Sequence, residues 1–325
     1  MRAADNTPLD LVWPTPNPAL MEGRGLAAFV QPTSSGRLES ALWGCVRNGG
    51  NRFHEGLDLK ALQRDSRGES IDPIFAAMPG RVVHINTVSG HSSYGRYIVL
   101  EHPGLHPGVY SLYAHLADVS PGLKVGQSVV SGERIGTLGR SAGGYTIPRS
   151  RAHLHFEIGV RLSDTFQEWV DEQEFGSKNR HGNFNGMNLV GFNPLDYYQK
   201  LMDGKVAGPA SYLDQEATAV ALRVFTSEVP DFLNRYPALL AGELRNEAIL
   251  AWDIEFTWYG LPKRWVPRYS EEGWDEERGT LQLLSMQKDL LEAQGCKSIL
   301  AFPSPDRVTL GGDLRNVLEL LFEMY

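Results

Sequence analysis

The sequence predicts a mainly β core of antiparallel sheets with a central groove, followed by a smaller α-rich or α+β C-terminal region. Three observations lead there. Between about 51 and 160, short β-branched or alternating runs recur, among them Arg81-Val82-Val83-His84-Ile85 and Tyr97-Ile98-Val99-Leu100-Glu101. Glycines at 122, 126, 132, 136 and 139 punctuate the same region at intervals that favour tight turns over helix. After 205 the apolar residues take up helix-compatible spacing.

In chain order, residues 1–50 read as an extended segment. Pro14, Pro16, Pro18 and Pro32 restrict its backbone, and Gly23, Gly25 and Gly36 interrupt any regular pattern. Such a segment wraps a domain or covers a cleft. Residues 51–160 are the core, with alternating strands at 109–115 and 152–158. Residues 161–204 connect, with a short helix at 165–170 and a loop at 182–188, and are expected to pack on the core. Residues 205–325 form an accessory domain. Helical spacing is read at 211–236, 238–249 and 279–294, a strand at 297–302 and a last helix at 314–322. There is no internal repeat and no low-complexity tract.

The 325 residues, 42% hydrophobic and 22% charged, have the balance of an ordinary globular protein with one large core or two smaller ones. A formal charge of −8, most of it contributed after residue 204, argues against nucleic acid as a partner. No apolar stretch is long enough for a transmembrane segment. The start, Met1-Arg2-Ala3-Ala4-Asp5-Asn6, lacks the apolar segment of a signal peptide. Cys45 and Cys296 lie far apart without metal-ligand spacing, and two free, largely buried thiols are expected in preference to one long-range disulfide.

Five residues carry the candidate chemistry. His54 and Asp58 lie in His54-Glu55-Gly56-Leu57-Asp58, His153 and His155 in His153-Leu154-His155, and His115 ends an alternating strand between them. Imidazole is the commonest ligand for a borderline-soft divalent metal, and a carboxylate can complete the set. Strand side chains alternate faces, so His153 and His155 point one way while Leu154 and Phe156 enter the opposite, apolar layer. Gly56 permits a bend between His54 and Asp58. A structural metal site would fill all four positions with side chains, whereas two histidines and a carboxylate leave one position open for water. His84, His91, His102, His106 and His181 read as surface or hydrogen-bonded residues, and Glu55 has the wrong parity to join His54. The two-histidine helix motif of one class of zinc proteases and the Gly-x-Ser-x-Gly elbow are both missing.

Longer strings carry a resemblance. Phe53-His54-Glu55-Gly56-Leu57-Asp58, the run from Pro73 to Val82, Ser111-Leu112-Tyr113-Ala114-His115-Leu116, the run from Val125 to Gly136, and Ala152-His153-Leu154-His155-Phe156-Glu157 together resemble the lysostaphin/LytM-type zinc metallopeptidases. The resemblance spans about 50 to 160. It implies a small antiparallel β fold of the duplicated-hybrid-motif type. It also implies one Zn2+ held by His54, Asp58 and His155, with His115 and His153 as non-ligand catalytic groups. The implied activity is hydrolysis of peptide bonds in peptidoglycan, stem or cross-bridge, by metal-activated water. His153 is the favoured base, with His115 stabilising the oxyanion. Peptidoglycan peptides are the implied partners and a periplasmic or secreted location is implied, with the export segment outside this sequence. Two alternatives are a noncatalytic wall-binding or enzyme-activating module of the same fold, and a zinc peptidase acting on a non-wall peptide.

The chain departs from the family pattern in three places. No tyrosine precedes Tyr94, so the oxyanion tyrosine of some members is vacant or replaced. The polar run from Gln63 to Ser70 is longer than the usual connection. The stretch from Gly143 to Ser150 replaces a tighter turn. These changes bear on substrate fit. Farther on, the aromatic run Trp252-Asp253-Ile254-Glu255-Phe256-Thr257-Trp258-Tyr259 reads as a core strand in preference to a ligand surface, and Lys263-Arg264-Trp265 as a solvated edge. Whether Trp252, Trp258 and Trp265 are exposed together discriminates the readings.

Overall fold

A computed structural model describes residues 10–269, 280–304 and 307–323. The chain divides into two compact units. The first comprises residues up to Val46, His54–Gly159 and Phe192–Pro209; the second comprises Arg47–Phe53, Val160–Gly191 and the described residues from Ala210 onward.

The first unit is built from strands β1 (Leu57–Lys60), β2 (Pro73–Phe75), β3 (Gly80–Asn86), β4 (Tyr97–His102), β5 (Val109–Ala114), β6 (Asp118–Val119), β7 (Ser128–Val129), β8 (Arg134–Thr137) and β9 (His153–Arg161). The main sheet runs β9-β5-β4-β3-β7, with β1 paired to β9, and every one of these pairings is antiparallel. A smaller antiparallel sheet runs β2-β8-β6. This is the antiparallel β core expected from the alternating runs. Short β-branched and aromatic segments cannot bury their apolar face as isolated strands, so they pair. Leu154, Phe156 and Ile158 of β9 enter one apolar layer, where Phe156 meets Tyr113 at 5.3 Å and Tyr198 at 6.3 Å between ring centroids. His153, His155 and Glu157 alternate onto the other face.

The segment before the core is an integral part of the unit. Trp13 is buried edge-on against Tyr198 (4.9 Å) and Phe29 (6.0 Å). Val30 bridges Leu59, the Gln31 N–H donates to the Asp58 carbonyl at 2.8 Å, and the Lys60 N–H donates to the Phe29 carbonyl at 2.9 Å. The segment therefore lines β1 along the edge that β9 does not use.

The second unit contains a four-stranded antiparallel sheet. Its strands are β10 (Val220–Val224), β11 (Ala251–Phe256), β12 (Pro262–Arg268) and β13 (Leu281–Met286), in the order β12-β11-β10-β13. It also holds helices at Phe166–Glu172, Asp231–Arg235, Lys288–Ala293 and Gly312–Phe322 and a hairpin of Leu300–Ser304 with Arg307–Leu310. Among the described residues no helix is long and apolar enough to cross a membrane.

Several expectations for this part are corrected. The 211–236 region is not one helix: a helix at Pro209–Gln215 gives way to strand β10, where Val220, Leu222 and Val224 alternate inward. Period 2 wins there because the β-branched valines find an antiparallel partner on each side. The 238–249 region holds only a 3-10 turn, Pro237–Leu239. In 279–294, Leu281–Met286 is a strand paired with β10 and only Lys288–Ala293 is helical; Gly279 lies outside the described residues. A short apolar run does not distinguish strand from helix until a partner edge is present. Cys45 and Cys296 are both disulfide-bonded, not free.

The aromatic run is a core strand. Trp252 and Trp265 are fully buried with rings 5.8 Å apart, Trp265 also meets Phe232 and Phe322, and Trp258 is only half-exposed. Lys263 is buried as well and donates to the Glu216 carbonyl, so of Lys263-Arg264-Trp265 only Arg264 is solvated, paired with Glu255 at 2.8 Å. The solvated edge expected for this tripeptide is thus limited to one residue. Trp265→Ala should cost about 3–5 kcal/mol in urea unfolding of the full chain, through lost packing and a cavity. Arg264→Ala should change it by no more than about 0.5 kcal/mol.

Candidate metal centre

The pairing of β1 with β9 builds the centre. Its register sets Asp58 directly opposite His155 and Lys60 opposite His153. Opposed residues on one face of an antiparallel pair have Cβ atoms about 4.5–5.5 Å apart, close enough for both side chains to reach one point. His54 arrives from the residues just before β1. Gly56 makes this possible by clearance: a Cβ there would lie 2.4 Å from the Phe156 carbonyl oxygen and 3.0 Å from the His155 ring. No residue with a side chain fits between the two strands at that point.

Three ligand atoms converge. His54 Nε2 lies 3.1 Å from His155 Nδ1 and 3.2 Å from Asp58 Oδ1, and His155 Nδ1 lies 3.1 Å from the same oxygen. All three side chains are buried. Their tautomers follow from their outer partners. His54 Nδ1 is 2.7 Å from the Leu42 carbonyl, which can only accept, so Nδ1 carries the proton and Nε2 presents a lone pair. His155 Nε2 donates to Glu157 Oε1 at 2.8 Å, which leaves the Nδ1 lone pair facing inward. Once the proton shared by His155 Nδ1 and Asp58 is displaced by a cation, two imidazole lone pairs and a carboxylate oxygen face one another. Adjacent vertices of a tetrahedron drawn at a zinc–ligand distance of about 2.0 Å are about 3.3 Å apart. The triangle fits a cation of that size.

The electrostatics agree. Burial alone would raise Asp58, but His54, His153 and His155 outweigh it and hold its carboxyl well below the usual range. Burial likewise opposes a charged His155, yet hydrogen bonds to Asp58 and Glu157 hold the ring up at about 10. A site that draws a proton onto a ring so strongly is a site that favours a cation.

His115 and His153 join the same cluster. Their ring centroids are 4.8 Å apart, His115 is 5.9 Å from His155, and His153 Nε2 is 3.6 Å from Asp58 Oδ2. His153 Nδ1 donates to the Arg151 carbonyl at 2.7 Å and His115 Nδ1 to the Ser141 carbonyl at 2.8 Å, so Nε2 is the basic nitrogen of each ring. His115 has φ of 60°, a left-handed backbone costing about 1–2 kcal/mol for a residue with a Cβ. Burial, then the neighbouring His153 and His155, push its pKa well down and keep it neutral. All five candidate residues are therefore brought together.

The other candidates lie elsewhere. His102 is a core residue, with Nδ1 2.9 Å from the Pro79 carbonyl and Nε2 2.7 Å from Ser111 Oγ, and burial lowers it to about 4. His91 and His106 are exposed, His84 stacks on Tyr97, His181 is buried in the second unit, and Glu55 is exposed. Sequence reasoning missed Glu157. It orients His155 and is itself held by the Tyr94 hydroxyl (2.6 Å) and the Tyr110 hydroxyl (2.8 Å). Its signal was available, since 157 continues the parity of 153 and 155. Leu42 acts through its backbone carbonyl, which no side-chain pattern announces.

Residues 52–166 match the model of Peptidase family M23. No curated protein matches the chain significantly. Among solved structures, the catalytic domain of the prophage-encoded M23 protein EnpA from Enterococcus faecalis is 21% identical; the match covers 40% of this chain and 80% of that one, with a TM-score of 0.29. The catalytic domain of lysostaphin from Staphylococcus simulans is 21% identical, with 49% of this chain and 87% of that one covered, at a TM-score of 0.30. A zinc-containing peptidase from Vibrio cholerae is 24% identical over 40% of this chain and 35% of that one, at a TM-score of 0.28. The matched segment, residues 52–166, folds as an antiparallel β core around a buried His–Asp–His cluster and is similar to peptidase family M23 over that span.

Proposed function

We propose that the chain is a zinc-dependent endopeptidase that hydrolyses peptide bonds of bacterial peptidoglycan, in the stems or the cross-bridges. The observation that carries this reading is the triangle of His54 Nε2, Asp58 Oδ1 and His155 Nδ1, three converging acceptors with two further imidazoles beside them. Three protein ligands leave a fourth position open, as a hydrolytic centre requires. When bound there, zinc polarises the scissile carbonyl and lowers the pKa of water toward neutrality.

The chain's own residues do the rest. His153 takes a proton from water at Nε2, because Asp58 at 3.6 Å stabilises the imidazolium that results, and returns it to the leaving amine. His115 lies beside His153, where its Nε2, protonated from solvent as charge develops, would donate to the oxyanion. Presence of all three ligands and both auxiliary histidines weighs against a noncatalytic wall-binding module. The disulfide-bonded state of Cys45 and Cys296 supports an oxidising compartment, hence a periplasmic or secreted location.

Purified protein should contain zinc in a one-to-one ratio. Elemental analysis of His155→Ala and Asp58→Ala should find it lost, and full metal content in both would refute the ligand set. Glu157→Gln should weaken zinc binding about 10–100-fold in a chelator competition, as expected when the partner that orients a ligand histidine is altered.

His115→Ala and His153→Ala should keep zinc and fold while turnover on intact peptidoglycan falls about 10²–10⁴-fold. Loss of zinc from His153→Ala would make that residue a ligand instead of a base. Mass analysis of the released peptides distinguishes stem from cross-bridge cleavage. Failure of the zinc-loaded protein to release any, with cleavage of other peptides, would point to a non-wall substrate.

A further inference from the structure

Both non-ligand histidines are oriented by one loop. Ser141 near its start supplies the carbonyl that holds His115, and Arg151 at its end supplies the carbonyl that holds His153. Between these two anchors the only helical structure is a 3-10 turn, Arg149–Arg151. A segment with so little structure of its own does not hold two carbonyls to the tolerance that proton transfer needs.

It is held from outside. Arg140 Nε and Nη2 donate to the two oxygens of Glu69 at 2.8 and 2.9 Å, and Arg149 Nε donates to Glu69 Oε1 at 2.7 Å. One carboxylate thus grips both flanks of the loop. Arg64 adds a bond from Nη1 to the Arg149 carbonyl at 2.6 Å, and Arg149 Nη1 reaches the Arg67 carbonyl at 3.3 Å. The segment that presents Glu69 is itself fixed. Asp65 Oδ1 accepts from the Arg67 and Glu69 N–H groups, both at 2.9 Å, and Arg64 bridges Ser70. Asp72 accepts from the Leu62 and Gln63 N–H groups. This is the polar run that is longer than the family's usual connection.

We propose that Glu69 is a positioning residue for His115 and His153, clamping residues 140–151 so that the Ser141 and Arg151 carbonyls set the tautomer and tilt of both rings. A planar guanidinium that engages both carboxylate oxygens fixes orientation as well as distance. The clamp stays charged at any working pH, because hydrogen bonds from Arg140, and then Arg149, hold Glu69 down to about 2. Glu69 and Arg140 are half-buried, and their bidentate pairing fixes geometry beside whatever stability it contributes. The effect on turnover rests on the peptidase reading above; the effect on the rings does not.

The test uses the full-length zinc protein with ¹⁵N-labelled histidine, and the variants Glu69→Gln, Glu69→Ala, Arg140→Gln and the double variant Glu69→Ala/Arg140→Gln. In the parent, His115 and His153 should each give a single Nδ1–H tautomer by NMR. In Glu69→Ala both should become tautomer mixtures, with zinc content and the His54 and His155 signals unchanged. On peptidoglycan, kcat should fall roughly 10–100-fold, the scale of a small misplacement of a reacting group, with KM nearly constant. Glu69→Gln, which keeps one acceptor oxygen, should lose less, and the double variant no more than the worse single one. Native tautomers and native kcat in Glu69→Ala would overturn the proposal. So would loss of zinc or of folding in Glu69→Ala alongside native rings and kcat in Glu69→Gln, because Glu69 would then be structural only. If the parent protein releases no peptide, the peptidase reading fails and the NMR signals alone decide the clamp.

Discussion

Asp58 stands opposite His155 because β1 and β9 pair in one register, and the candidate metal centre depends first on that pairing. A slip of β1 by one residue would turn Asp58 onto the apolar face and bring Leu57 or Leu59 opposite His155. Two features hold the register. The segment before the core lines the far edge of β1 through the Val30–Leu59 bridge and the bonds of Gln31 and Lys60, so β1 is gripped from both sides. Gly56 lets the two backbones approach where any Cβ would collide with Phe156. Residues far from the chemistry in sequence therefore determine whether three ligand atoms meet.

The centre is arranged in shells, each correcting the electrostatic cost of the one inside it. Burying Asp58 is unfavourable until imidazoles surround it, and burying Glu157 is unfavourable until His155, Tyr94 and Tyr110 donate to it. Together these groups concentrate negative charge and lone pairs at one point. Such a site gains most when a divalent cation arrives, and ligand binding of this kind adds to the stability of the fold. The same outer shell fixes which nitrogen of each ring faces inward. Peptide carbonyls of Leu42, Ser141 and Arg151 and one carboxylate therefore assign four histidines to their tautomers.

The polar run at 63–70 and the stretch at 143–150, both departures from the family pattern, meet at Glu69. Each alone is an irregular connection. Glu69 joins them through one charge-assisted hydrogen bond from Arg149, and Arg140, just before the second stretch, adds two more. The N-terminal segment changes character in the same way. Its prolines and glycines read as a wrap or a cover; residues 10–46 pack into the first unit, where Trp13 is buried and the Leu42 carbonyl orients His54.

Much of this was legible in the chain itself. Alternation placed the strands of the core, and parity separated His153 and His155 from Leu154 and Phe156, because a strand's period of two is a local property of the backbone. Residue type and position picked out His54, Asp58, His115, His153 and His155, which the fold brings together, while their division into ligands and auxiliaries was only implied by the resemblance to lysostaphin-type enzymes. Local pattern was weaker beyond 205, where Val220–Val224 and Leu281–Met286 carried helix-compatible spacing and became strands. Short apolar runs take the conformation of the edge they meet, and that edge lies far away in sequence. Tertiary structure alone decided the register of β1 on β9, the clearance at Gly56, the tautomers set by backbone carbonyls, and the clamp at Glu69. Apart from the Arg151 carbonyl behind His153, two residues away, these depend on distances between residues 12 to 101 positions apart, which no local periodicity encodes.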